Sequence, residues 1–272
     1  MRLTRFLILG GCAALLGACG DDSDVTINTP PPLAHVRFIN AMSDTGAVDV
    51  RMYDQIEYSA QALGLQFRSG TEYQGTEAKA RDIRVFTTSQ DINITSKVMI
   101  DTTMSFEANR YYTLLLVGPA RTGSHRFLVI EDDAPSVSAT QIALRAVHAG
   151  AAATNLDGYA TTGAADPLPA TPVVANLAPL AASSYVTMVP GALAMQITPA
   201  GATTVLAAQT APAGTAGTAT INPAAGASVA GTAFSVYAFP ASVADSKAPQ
   251  TAAFQAPSVI FFVDRLPPKT AN

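Results

Sequence analysis

The chain is short of the residues that most often carry chemistry. Among 272 residues it has two Cys, three His and no Trp, and only 13% of it is charged. Cys12 and Cys19 both lie near the N-terminus, so nothing after them can form a disulfide with itself or a Cys-based zinc site. The three histidines, His35, His125 and His148, lack His-x-x-x-His spacing, and no metal site is expected from them. Neither a phosphate-cradling glycine loop nor a Gly-x-Ser-x-Gly elbow is present, and no Ser-His-Asp grouping stands out. The expectation is a protein that is not an enzyme and uses no cofactor. The formal charge of −4 and the absence of basic runs argue against nucleic acid as a partner.

What the N-terminus does contain is an export signal. Arg2 and Arg5 precede an apolar stretch from Phe6 to Ala18, followed at once by Asp21, Asp22 and Asp24. A spanning helix needs about 20 apolar residues, so this segment reads as a signal peptide. It ends in Leu16-Gly17-Ala18-Cys19, which resembles the lipobox of bacterial lipoproteins. That resemblance implies cleavage after residue 18 and lipid attachment to Cys19, which would also account for an unpaired Cys in an exported chain. Leu9-Gly10-Gly11-Cys12 is a poorer match, because cleavage there would leave too short an apolar run upstream. Gly20, rather than Asp, follows Cys19, which favours the outer membrane in a cell with two membranes. Loss of residues 1–18 removes two Arg and no acid, leaving a charge of −6. Residues 19–33, with Pro30-Pro31-Pro32, read as a lipidated Cys on a stiff tether.

The remainder divides into two parts. From Ala34 to Pro135 there are 23 charged residues, whereas Ala146 to Ala244 has only Asp157 and Asp166. Ordered matches nevertheless connect the parts. Val36-Arg37-Phe38-Ile39-Asn40-Ala41 lines up with Leu144-Arg145-Ala146-Val147-His148-Ala149 at an offset of 108. Asp49 meets Asp157 at that offset, and Tyr73 meets Tyr185 at 112. Tyr111-Tyr112-Thr113-Leu114 falls on Thr232-Ala233-Phe234-Ser235 at 121, and Val129-Ile130 on Phe261-Phe262 at 132. The offset only grows, as loop insertions in a second copy would require, and Asp132-Asp133-Ala134-Pro135-Ser136 suits a linker.

Within each part the apolar residues recur every second position, as in Val48, Val50 and Met52 or Phe234, Val236 and Ala238, while Leu114 to Val117 is apolar on both faces. Ile92 and Ile94 alternate with Asp91, Asn93 and Thr95 in the same way. No convincing helical stripe of 12 or more residues follows the signal segment. The expected fold is all-β: two tandem immunoglobulin-like antiparallel β-sandwiches, over residues 34–135 and 136–272.

Val36-Arg37-Phe38-Ile39-Asn40-Ala41, Ser43-Asp44 and Gly46-Ala47-Val48-Asp49-Val50 resemble the opening of the bacterial domain-of-unknown-function family 4397. Asn176-Leu177, Ser184-Tyr185-Val186, Val189-Pro190-Gly191 and Ile197-Thr198-Pro199-Ala200-Gly201 are similar to its middle, and Leu128-Val129-Ile130-Glu131-Asp132-Asp133 to its end. The second part departs at its opening, where Ala151-Ala152 replaces the Ser-Asp pair. The resemblance implies exported, often lipid-anchored tandem β-domains, and no activity.

Several residues have two readings. Glu131-Asp132-Asp133, or Asp44 with Asp49, could offer oxygens to calcium, but neither interleaves ligands around a Gly turn, so a solvated strand end is expected. Lys79, Arg81 and Arg84 straddle Asp82 and read as the wet face of a strand. His148 stands where the first part has Asn40 and reads as a polar strand-edge residue. The leading expectation is a lipid-anchored, non-catalytic binding or scaffolding module of the cell envelope, its partner an envelope protein or polysaccharide. The alternatives are a receptor for a small ligand or glycan held between the sandwiches and, further off, an envelope hydrolase. Clustering of Tyr53, Tyr58 and Tyr73 on one face would favour the glycan version.

Overall fold

A computed structural model describes residues 30–54, 60–132, 136–150 and 154–269. From Pro32 onward the chain forms one compact unit. Eight strands come first: β1 Leu33–Asn40, β2 Val48–Met52, β3 Ala60–Leu65, β4 Gln74–Glu77, β5 Ala80–Thr87, β6 Val98–Ser105, β7 Tyr111–Val117 and β8 Arg126–Glu131. Eight more follow: β9 Ile142–His148, β10 Leu156–Thr161, β11 Val174–Leu177, β12 Val186–Met188, β13 Ala194–Pro199, β14 Ala207–Thr210, β15 Ala233–Phe239 and β16 Ser258–Arg265.

These make four four-stranded sheets, ordered β4-β1-β7-β8, β3-β2-β5-β6, β12-β9-β15-β16 and β11-β10-β13-β14. Adding eight to each strand number of the first two sheets reproduces the second two, so both sandwiches have one connectivity. The fold is all-β with two sandwich-like units, as the period-two patterns require. The strand order is its own. In each unit the first strand lies inside a sheet and runs parallel to the seventh, β1 beside β7 and β9 beside β15, whereas the other pairings are antiparallel. The expected purely antiparallel arrangement is corrected to that extent, and the order differs from the seven-strand immunoglobulin one.

Side-chain alternation explains the layering. On β1, Val36 and Phe38 enter the first core with Val48, Val50, Met52, Ile83, Val85, Leu114 and Leu116. The intervening Ile39 points the other way, into a cluster with Leu115, Val117 and Ile130 that also holds Val147, Tyr237 and Phe239 of the second unit. On β15, Phe234, Val236 and Ala238 pack into the second unit's core with Leu144, Met195 and Ile197. The sheets containing β1 and β15 therefore meet face to face and are buried on both sides, which is why Leu114 to Val117 on β7 reads as an unbroken apolar run. Four sheet layers result, with three apolar clusters between them.

The two units approach closely. A Cβ on Gly70 would come within 2.7 Å of Phe262 and 2.9 Å of Ile39, so only glycine fits there. Two local expectations fail. Ile92–Thr95 is a short helix, α1, because the Asp91 carboxylate accepts the backbone N–H of Asn93 and caps it. Arg81 is buried rather than wet, its guanidinium held by Asp54 at 2.5 Å and by Thr76 at 3.1 Å, whereas Arg84 keeps its exposed pairing with Asp101.

Candidate functional site

The seam between the two inner sheets is polar at one end, and the strands that build it explain why. Arg37 sits on β1 two residues before Ile39, on the face that meets the other unit. Its register partner on β7 is Thr113. Arg145 on β9 is registered against Ser235 on β15 in the same way. Arg37 Nε donates to Thr113 Oγ1 at 2.7 Å, and Arg145 Nε donates to Ser235 Oγ at 2.6 Å. Each hydroxyl donates onward to an Asp at the end of the last strand of its own unit: Thr113 to Asp132, just after β8, and Ser235 to Asp264, the penultimate residue of β16, both at 2.6 Å.

The guanidinium heads then cross over. Arg37 pairs with Asp264 of the second unit at 2.5 Å, and Arg145 pairs with Asp132 of the first. A tyrosine completes each half. Tyr73 OH donates to Asp132 and Tyr185 OH to Asp264, both at 2.8 Å. The Tyr73 ring also lies 4.6 Å from the guanidinium of Arg37, and the Tyr185 ring 4.7 Å from that of Arg145. Eight side chains thus form a reciprocal network in which each unit's Arg is neutralised by the other's Asp.

Burial sets the electrostatics. Desolvation acts to lower the pKa of Arg37, but its neighbours Tyr237 and Asp264 overcome it and hold the guanidinium firmly charged. Burial pushes the Asp264 carboxyl above its ordinary range, against the pull of Arg37 and Arg145. Tyr73 and Tyr185 are held well above the usual phenol range, first by burial, and burial pushes Tyr237 up to about 12. Tyr73 and Tyr185 therefore act as neutral hydrogen-bond donors to Asp132 and Asp264, while the Tyr237 hydroxyl accepts from Arg37.

At the opposite end of the seam, Arg68 reaches from the first unit into the second. Its guanidinium donates to the backbone carbonyls of Ala253 at 2.9 Å, Pro240 at 2.6 Å, Phe254 at 3.2 Å and Ala256. It stacks between Phe67 and Phe254, 5.0 and 5.2 Å away. Burial lowers its pKa to about 10, so it remains a cation at neutral pH.

Beside the ion-pair network the seam opens into a cavity of about 620 Å³. Tyr73, Asp132 and Asp264 of the network line it, together with the stacked pair His35–Tyr111 (centroids 4.4 Å apart) and the polar side chains Glu72, Asn109, Arg110 and Arg265.

The residues singled out from sequence fall in different places. Cys19, Tyr58 and Asp133 lie outside the described residues. Asp132, expected to be a solvated linker residue, is instead buried at the centre of the network, because Arg145 of the other unit meets it there. Asp44 accepts the backbone N–H groups of Ala120 and Arg121. Asp49 and Asp157, matched by offset, do matching work: each accepts a neighbouring strand's N–H, from Gly64 and Asn176 respectively. Tyr53 and Tyr73 do not come together, since Tyr53 packs on Arg84 while Tyr73 is in the seam.

His148 Nδ1 accepts the N–H of Gly150 just as Asn40 Oδ1 accepts that of Met42. His125 Nε2 contacts the Met99 carbonyl, and His35 stacks on Tyr111. Among the described residues no group of three or more His, Cys, Asp or Glu side chains could hold a metal ion. The network's Arg37, Arg145, Tyr185 and Asp264 were not recognised as a site from sequence. The signal was the offset itself, which pairs Arg37 with Arg145 and Tyr73 with Tyr185 and, continued from Val129-Ile130, pairs Asp132 with Asp264.

No curated protein matches the chain. A family model described as a domain of unknown function, DUF4397, matches residues 34–159, which run from the second residue of β1 through β8 and β9 into β10. The first sandwich and the opening of the second are thus similar to the DUF4397 family.

Proposed function

We propose that this protein is a non-catalytic binding or scaffolding module of the cell envelope, anchored by lipid on Cys19 and presenting its two sandwiches as one stiff body. The observation that supports the stiff body is the crossed network. Arg37 with Asp264 and Arg145 with Asp132 are buried, and each pair spans the two units. Breaking a buried pair costs several kcal/mol, so the seam has no hinge that opens cheaply. The same groups are saturated by structural partners, which leaves them poorly suited to proton transfer. A basic stretch, an apolar segment and Leu16-Gly17-Ala18-Cys19 support the anchor.

The test is proteinase treatment of intact cells, with a Cys19→Ala version as control. The reading expects the wild-type chain to fractionate with membranes and the Cys19→Ala form to be released. Digestion in whole cells would place the sandwiches outside, and protection until the outer membrane is opened would place them in the periplasm. Membrane attachment unchanged by Cys19→Ala would overturn the anchor.

A second reading, a small-ligand receptor between the sandwiches, has the seam cavity in its favour. Its volume of about 620 Å³ lies within the range of small-molecule sites, and both units contribute to its wall.

A further inference from the structure

We infer that the seam cavity is a saccharide site, sized for one or two sugar rings, with His35 and Tyr111 as its platform. The inference rests on the receptor reading above and names its ligand class. Its starting point is a comparison of the two units at equal register. His35 faces Tyr111 across β1 and β7, and the corresponding pair across β9 and β15 is Ala143 with Ala233. All four lie on the seam side of their strands, two residues from Arg37, Thr113, Arg145 or Ser235. In the second unit the two alanines are fully buried. The fold is therefore content with methyl groups at these positions, and the large polar rings of the first unit answer to something else.

The neighbouring residues follow the same pattern. By the offset of 112 that matches Tyr73 with Tyr185, Glu72 stands where the second unit has Ser184. The strand register sets Tyr111 against Ala233, an offset of 122 that corrects the 121 read from the sequence, and it places Arg110 where the second unit has Thr232. Specialisation is thus concentrated on the cavity side of one unit, while Arg37, Tyr73 and Asp132 retain counterparts in Arg145, Tyr185 and Asp264.

The lining sets the chemistry. The side chains of His35, Glu72, Asn109 and Tyr111 make no polar bond with other described residues, and they face one cavity. Together they offer an acceptor in Glu72, donors and acceptors in Asn109, His35 and Tyr111, and cations nearby in Arg110 and Arg265. A ligand that satisfies such a set needs both donors and acceptors around its edge and a nonpolar face for the rings. A pyranose has this form, with hydroxyls at its equator and C–H groups on its faces. Tyr73 stands edge-on to Tyr111 at 5.1 Å and is fixed by Asp132, so the platform is held rigid before a ligand arrives.

The chain has only three histidines, which makes the imidazole signals of His35 separable from those of His125 and His148. The experiment is an NMR titration of the full chain in detergent, labelled at histidine nitrogen. The probes are hexoses, N-acetylhexosamines, hexuronates and their disaccharides, and the His35 signals are assigned by their loss in His35→Ala. At least one sugar is expected to shift His35 alone at millimolar concentration. Tyr111→Ala, which gives the first unit a residue the second already accommodates, should weaken that sugar about fivefold or more. Failure of every sugar to move His35, or binding unchanged in Tyr111→Ala, would overturn the proposal. If benzoate or an alkylamine of similar size moves His35 where no sugar does, the saccharide assignment falls and the receptor reading stands. If no probe moves it, both fall.

Discussion

Replacing Asp264 by Ala tests the crossed network most severely. The carboxylate accepts from Arg37 at 2.5 Å, Ser235 at 2.6 Å and Tyr185 at 2.8 Å, and of these donors Arg37 and Ser235 are buried away from water. Its removal leaves Arg37 as an uncompensated charge with a side chain that is 2% exposed. Breaking a buried pair in this way costs about 3–5 kcal/mol. For a chain of this size a loss of 1 kcal/mol lowers Tm by about 2–4 °C, so a drop of about 6–20 °C is expected. Differential scanning calorimetry at neutral pH measures it. Asp101→Ala is the internal control, because Asp101 also pairs with an arginine, Arg84, but both side chains are well exposed. That change should leave Tm where it is. If Asp264→Ala and Asp101→Ala were indistinguishable, the network would not hold the units together and the reasoning would fail.

Other perturbations follow from the same seam. Arg68→Met removes the donor that serves four carbonyls of residues 240–256 and should cost about 3 kcal/mol, with faster proteolysis of that segment as the readout. Gly70→Val would drive a side chain into Phe262 and Ile39 and should cost about 1–3 kcal/mol by urea denaturation. Burial lowers the pKa of His148, so its contribution is complete above about pH 6.5 and is lost as pH falls through the folded-state value. His148→Asn keeps an acceptor for the Gly150 N–H, as Asn40 does for Met42, and removes the titration. Wild type should therefore lose more stability than His148→Asn between pH 7 and pH 5.

Much of the architecture was legible in the chain because it is written in local alternation. Val48, Val50 and Met52, or Phe234, Val236 and Ala238, mark one buried face without reference to anything distant. Leu114 to Val117 showed burial on both faces, although not that a second sandwich supplies one of them. What was not legible depends on partners far apart. Asp132 looks wet beside Glu131 and Asp133, and its burial is made tolerable by distant partners, the charge of Arg145 from the other unit and the hydroxyls of Thr113 and Tyr73. The parallel pairing of β1 with β7 joins Arg37 to Thr113 across a separation of 76 residues, which no local pattern encodes. Ile92–Thr95 failed for the opposite reason: a single capping carboxylate, Asp91, outweighed a short alternating pattern.

Residue-resolved native-state hydrogen exchange tests the central claim, that two sandwiches act as one body. The network crosses the seam in both directions, so the inner strands β1, β7, β9 and β15 should open together, with one shared free energy across both units. If β1 and β7 exchanged through one opening and β9 and β15 through another of clearly different free energy, the two sandwiches would be independent, and the stiff-body account would be contradicted.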